Sequence, residues 1–359
     1  MTFSYTFPVV KGVQANRDYY IAMVPLRMLS RLFPDDEQYV LPEFRAQRKL
    51  NVTRIPIISK YITDNRNDYV FSALAASIDG DFKFISAEKH SDLGILEVSM
   101  DAKFLINDGQ HRKAAILSAL NDDESLGNET IPVVFFEDIG LARSQQIFTD
   151  LNKHAVKTSN SIAELYDSRD DLAVITRRVV SCVSFFDAYT DKEKDILGKY
   201  SSNLFTLNTI YLANKKVLQH QSIDKNTESF LVNFWNAVSN NIIQWTELKN
   251  KQISKVDLRE NYIITQAVVI QALGRVGNFF LVHSDIDMEQ ALNGLREVDW
   301  KRNAKHWHLR AIKTNGRMIS SETAIFLTAN AIKTVLGLPL DHDEQDREER
   351  FLHEYNLLK

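Results

Sequence analysis

The chain has 359 residues and a formal net charge of -4, which excludes a globally basic nucleic-acid binder and confines any such contact to a local patch. Hydrophobic residues make up 44% and charged residues 25%, the proportions of a globular chain long enough for two domains. The one cysteine, Cys182, excludes an intramolecular disulfide and a cysteine-built zinc or iron–sulfur site, and its apolar neighbourhood from Val179 to Phe186 predicts burial.

Phe3 to Gln14 alternates loosely and carries Pro8, so it reads as an edge strand. Asn16 and Asp18 precede a stretch, Tyr20 to Leu32, whose apolar spacing predicts a helix. Arg45, Arg48, Lys49 and Arg54 form a basic cluster, either a solvated face or an anion contact. A helix follows with Pro56 in its first turn and Ile57, Ile58, Tyr61 and Ile62 inward. Tyr69 to Ile78 reads as a buried strand, and Phe82–Ile85 and Gly94–Val98 as a strand pair.

Lys103 to Asn107 then leads into Asp108-Gly109-Gln110-His111-Arg112 and the helix-forming run Lys113 to Leu120: strand, tight turn, helix. Asp108 is placed to cap the helix. Gly109 allows a sharp turn or a close ligand approach. The free first-turn N–H groups suit a phosphate, and Arg112 adds a fork of donors for its oxygens. His111 could donate, accept or move a proton. The alternative is a capped helix with His111 and Arg112 merely solvated.

Ile131 to Phe136 is another core strand. Leu141 to Asn152 is a helix anchored by Ile147, Phe148 and Leu151, with a polar, basic exit that by composition reads as a solvated loop. Beyond a capping-box pattern at Ser161 the second half shows helical periodicity: Leu172–Phe186, Leu204–Val217, Glu228–Leu248, Asn261–Phe280 and Ser321–Leu336. Gly274 and Gly277 read as close packing. The segment 301–317 contains no acid. Lys301, Arg302, Lys305, Arg310 and Lys313 could neutralise phosphates and Trp307 could stack a base; the other reading is a basic loop anchored by a buried Trp307. No metal site is expected, since His306 and His308 alone make a poor ligand set.

The Asp-Gly-Gln-His-Arg string resembles the signature of the DGQHR-domain proteins, distant relatives of the ParB/sulfiredoxin fold. Within them the chain resembles the B proteins of bacterial DNA phosphorothioate modification clusters. That resemblance implies an α+β, ParB/sulfiredoxin-like mixed-sheet domain over 1–160 and a mainly helical domain over 161–359. It also implies that Gln47 and Arg48 belong with Gly109, Gln110 and Arg112 to a nucleotide- or phosphate-binding site. Phe-Thr-Asp-Leu-Asn-Lys resembles the family's second signature, so Asn152 and Lys153 are expected to face Asp108–Arg112.

The function it implies is a cytoplasmic DNA-binding repressor of the modification operon, with promoter duplex DNA and other proteins of the sulfur-modification system as partners. No membrane partner is expected, because no apolar run is long enough and the N-terminus lacks a signal pattern; a homo-oligomer is left open. The alternative is an enzyme, hydrolysing ATP or CTP with Mg²⁺ or cutting DNA as ParB-like nucleases do. Arg112 and Gly109 would then hold phosphates, Gln110 would lie beside them, Asp108 or Asn152 would help with a metal or water, and His111 would act as general base.

Overall fold

The computed structural model describes residues 3–34, 50–138, 140–153, 158–198 and 200–357, with the side chains at 141, 142, 152, 153, 356 and 357 outside that description. The chain divides into two compact units, Met1–Val156 and Lys157–Lys359.

The first unit is α+β. Its strands are β1 (Ser4–Gln14), β2 (Arg17–Pro25), β3 (Leu74–Asp79), β4 (Phe82–Ala87), β5 (His90–Ser99), β6 (Lys103–Asp108) and β7 (Thr130–Glu137). They form one sheet in the order β4-β5-β1-β2-β7-β3-β6. The sheet is mixed because β3 and β7 run parallel while the other neighbours are antiparallel. Its helices are α1 (Leu29–Leu32), α2 (Ile55–Asp64), α3 (Gln110–Asp122) and α4 (Leu141–Lys153). Period-two alternation puts Phe7, Val24, Ile106 and Phe135 on one face, where they pack with Leu29, Ile62 and Ile116 from the first three helices.

Two expectations change here. Tyr20 to Leu32 is not one helix: residues up to Pro25 are β2, because Tyr20, Ala22 and Val24 alternate inward across a hairpin whose turn residues, Ala15 and Asn16, both have positive φ. Strand β1 lies inside the sheet, not at its edge. Pairing with β2 runs from Val9 to Gln14, so Pro8 falls just beyond it and breaks no bond of that ladder. Within α2, Ile62 is buried as expected but Ile57 is exposed.

The second unit is helical: α5 (Asn160–Tyr166), α6 (Asp171–Cys182), α7 (Ser184–Tyr189), α8 (Leu207–Leu218), α9 (Thr227–Asn241), α10 (Ile243–Lys249), α11 (Lys255–Asn261), α12 (Ala267–Val282), α13 (Met288–Leu292), α14 (Glu322–Val335) and α15 (His342–Leu357). A minimal parallel pair, β8 (Thr190–Asp191) and β9 (Phe205–Thr206), interrupts them. Four tryptophans, Trp235, Trp245, Trp300 and Trp307, are buried in its core. Buried Asn214 on α8 bonds Thr176 on α6 and accepts from the Trp235 indole on α9, so its amide is satisfied at both ends. A Cβ at Gly274 would sit 2.3 Å from the Ala213 carbonyl oxygen. The Gly-x-x-Gly of α12 therefore serves close approach to α8. Cys182 is exposed, contrary to expectation, because Val179, Val180 and Val183 take the inward positions around it.

One buried ion network ties α15 to its neighbours. The Glu344 carboxylate accepts from Lys333 at 2.7 Å and lies 3.6 Å from Arg275, with Lys333 and Glu344 almost wholly out of water. Removing the shared carboxylate strands buried cations. Glu344→Ala should therefore cost about 3–5 kcal/mol in urea unfolding. A loss below 1 kcal/mol, the range of a solvated pair, would contradict that role.

Glu164 on α5 has a buried carboxylate oxygen with no hydrogen-bond partner. Burial, then the nearby Asp195 and Asp170, pushes its pKa up to about 8. The folded chain thus favours the protonated acid, so this contribution to stability is full below the unfolded carboxyl's pKa and is lost as pH rises through about 8. Glu164→Gln should melt higher than wild type at pH 9 and flatten the pH dependence between 5 and 9. Parallel melting profiles for the two proteins would rule this out.

Candidate functional site

The strand–turn–helix is present as β6, Gly109 and α3, and every residue of the motif is at least half-buried. Asn107, which precedes it, is fully buried on the sheet face opposite Ile106. Its Oδ1 accepts from the Ser77 hydroxyl at 2.9 Å and its Nδ2 donates to the Ser144 carbonyl at 3.4 Å. Ser144 Oγ lies 3.4 Å from Ser77 Oγ. This polar triad docks the first turn of α4 onto β3 and β6. No periodicity in the sequence marked it.

Asp108 does not cap α3. The N-cap is Gly109 itself, at φ 100°, and no side chain caps the helix. The glycine is needed because a Cβ there would lie 2.4 Å from Leu74 Cδ2, and because L side chains avoid that backbone region. The close approach seen here is to Leu74 in the core.

Asp108 instead binds Arg112, one helical turn on. Arg112 Nη1 donates to the carbonyls of Ser72 at 2.8 Å and Ala73 at 2.9 Å, and to the Ser72 hydroxyl. The side chain is 18% exposed. The expected phosphate grip is thus a clamp: it fastens the start of α3 to the segment entering β3. His111 Nε2 accepts from the Asn51 backbone N–H at 3.0 Å, which requires its ring proton on Nδ1. The proposed general base therefore holds the entry to α2. Gln110 is half-buried and also engaged.

Gln47 and Arg48 lie outside the described residues, as do Arg45 and Lys49. The backbones of Asn152 and Lys153 continue α4, so the expected solvated loop begins later, but their side chains lie outside the description. Ser144 and Asn152 are separated by about 12 Å along the helix axis at ~1.5 Å per residue.

The basic segment 301–317 is built on short hydrogen-bonded loops. Ile263 N donates to the Trp300 carbonyl at 3.0 Å and Arg302 N to the Asn261 carbonyl at 2.8 Å, pairing its start with the end of α11. Lys313 N donates to the Arg317 carbonyl at 2.8 Å, closing a turn with Gly316 at φ 77°.

Three expected DNA contacts are spent on the fold. Trp307 is fully buried, donates from Nε1 to the Asp299 carbonyl at 2.8 Å and stacks on Trp300 at 5.7 Å, so it stacks no base. Arg310 makes a bidentate pair with Glu348, one arm at 2.6 Å, over the Phe351 ring. Arg302 is half-buried, donates to the Arg259 and Glu260 carbonyls at 3.1 Å, and has its pKa lowered by burial. Lys301, Lys305 and Lys313 are exposed.

Lys301, Arg302 and Lys313 share the wall of a cavity of about 1000 Å³ with Asn261, Tyr262, His308 and Tyr355. Most of the wall comes from the segment that composition singled out; Asn261, Tyr262 and Tyr355 carried no signal of their own. Among the described residues, no group of three His, Cys, Asp or Glu side chains could hold a metal ion. Among them, too, no helix is long and apolar enough to cross a membrane.

A mixed seven-stranded sheet with its helices, followed by a helical unit, defines the class: an α+β protein. Residues 7–339 match the family model described as DndB, DNA-sulfur modification-associated, and the chain belongs to that family. It is thus associated with DNA sulfur modification. No curated protein and no solved structure matches the chain.

Arg112→Ala removes a charge-assisted clamp, each such bond being worth about 1.5–3 kcal/mol. The variant should lose about 3 kcal/mol in urea unfolding. A midpoint equal to wild type would mean that Arg112 holds nothing together.

Proposed function

We propose that this chain is a DNA-binding regulator, a repressor of its DNA phosphorothioate modification operon that also modulates modification and the associated restriction. The observation that carries this reading is the acid-free segment 301–317, which keeps Lys301, Lys305 and Lys313 exposed on hydrogen-bonded loops in a chain of net charge -4. Such a patch can neutralise phosphates without making the whole protein basic. Membership of a DNA-sulfur modification-associated family supplies the context. The partners are the operon's promoter duplex and other proteins of the sulfur-modification system.

The strand–turn–helix within a mixed sheet also supports reading residues 1–160 as a DGQHR-type, ParB/sulfiredoxin-like domain, with the DNA-contacting surface on the helical domain over 161–359. The motif acts there as a scaffold. Binding ATP or CTP phosphates at Asp108–Arg112 would require pulling Arg112 off Asp108, Ser72 and Ala73, and using His111 as a base would break its bond from Asn51. We therefore favour the regulator over the nucleotide hydrolase.

The test is a mobility-shift titration on the chain's own upstream DNA at several salt concentrations. Combined Lys301→Ala, Lys305→Ala and Lys313→Ala substitution should weaken binding at least tenfold with an unchanged melting temperature. It should also make the slope of log K against log salt shallower by about 3, at ~0.9 per phosphate contact. Equal affinity and slope in variant and wild type would refute the assignment.

A further inference from the structure

The cavity beside the cationic segment is more than a surface for a duplex backbone. We propose that it is a binding site for a nucleoside phosphate, in the helical unit and separate from the Asp108–Arg112 turn. The inference rests on the reading that this face meets phosphates, and it adds a ligand of defined size and chemistry.

The volume is the first argument. About 1000 Å³ is far more than a bare phosphate needs and lies within the range of sites that hold nucleotide-sized ligands. The lining is the second. Lys301, Arg302 and Lys313 set three cations against one acid, Glu260, so an anionic group is favoured. Tyr262 and Tyr355 bring aromatic rings to the wall, Tyr355 with its ring stacked on Phe351 at 5.8 Å, and Asn261 and Asn303 bring amides of the kind that pair with a base edge. Leu309 and Ile312 provide the apolar floor that a base requires.

The third argument is that the wall is formed in advance. Tyr262 and Lys301 are bridged as an antiparallel pair, and Ile312 is bridged to His308 and Met318. Buried Trp307 accepts the Ala311 and Ile312 amides on its carbonyl at 3.0 and 3.1 Å. Leu309 is held at φ 60°, a backbone state that a leucine adopts only where its surroundings impose it, while its N–H donates to the Ile312 carbonyl at 2.7 Å. Such strain gathers at ligand sites. A wall braced by these backbone bonds, with cations beside aromatic residues, suits a charged, flat ligand, because little ordering is needed on binding.

The shared chemistry, a nucleoside phosphate, could arrive as a free nucleotide or as an unpaired residue of a DNA strand. Calorimetric titration of the full chain with AMP, with ATP and with a 5′-phosphorylated tetrathymidylate distinguishes these sources. Saturable binding of at least one probe is expected, weakened tenfold or more in both Lys313→Ala and Tyr262→Leu, with melting temperatures within a degree or two of wild type. Binding confined to the oligonucleotide would assign the site to a DNA strand; binding of AMP or ATP would assign it to a free nucleotide. Lys305→Ala, outside the cavity wall, should leave probe binding unchanged while weakening promoter binding. Tyr262→Leu should do the reverse. No saturable binding of any probe at millimolar concentration, or equal binding by wild type and both cavity variants, overturns the proposal. Promoter binding that persists in the absence of probe binding would leave the regulator reading intact.

Discussion

Arg112 reaches back one helical turn to the Asp108 carboxylate and out to the carbonyls of Ser72 and Ala73. Two pieces of chain distant in sequence meet there: the β6–α3 turn and the approach to β3. Gly109 makes the meeting geometrically possible by adopting positive φ against Leu74. Asn107, on the other side of the same strand, holds Ser77 and Ser144 and so fixes α4. The polar turn from Asn107 to Arg112 is therefore where the first unit is pinned together. A charged hydrogen bond shielded from water contributes more than an exposed one, and several acceptors around one guanidinium leave little freedom for rearrangement.

The helical unit solves its problem in a different currency. Its core is aromatic and aliphatic, with Phe185 lying flat on Trp245 at 4.4 Å. Asn214 enters it with its amide satisfied, and Lys333 and Glu344 enter it as a pair, while Glu164 keeps one carboxylate oxygen without a hydrogen-bond partner. On this rigid body the basic segment splits by role. Arg302, Trp307 and Arg310 turn inward and brace the loops; Lys301, Lys305 and Lys313 turn outward. The division follows from chemistry. Arginine's planar fork can satisfy several carbonyls or one carboxylate at once, while a lysine ammonium loses more hydration than a loop can replace.

A motif that reads as a ligand grip and acts as a clamp shows where inference from residue type alone stops. A guanidinium suits phosphates, carboxylates and backbone carbonyls alike. Which one it meets depends on what the fold delivers. The same holds for Trp307, whose indole suits a nucleobase and Trp300 equally well. Family membership places the chain in DNA sulfur modification, but the division of labour among its cations comes from the packing.

Periodicity alone determined most of the strands from β3 to β7 and most of the helices beyond α5, because alternation and the 3.6-residue repeat record burial locally. The glycines of α12 could be read as close packing in the same way. Strand β2 escaped, since Tyr20 to Val24 satisfies both repeats over so short a run and the Ala15–Asn16 turn lacks the usual glycine. Tertiary structure alone decided that Pro8 sits inside the sheet, that Cys182 faces solvent, that Asp108 serves Arg112 in place of the helix end, and that Tyr262 and Tyr355 join Lys301 around one cavity. Each of these depends on contacts between residues far apart in the chain, and no local pattern encodes which distant partner a side chain will find.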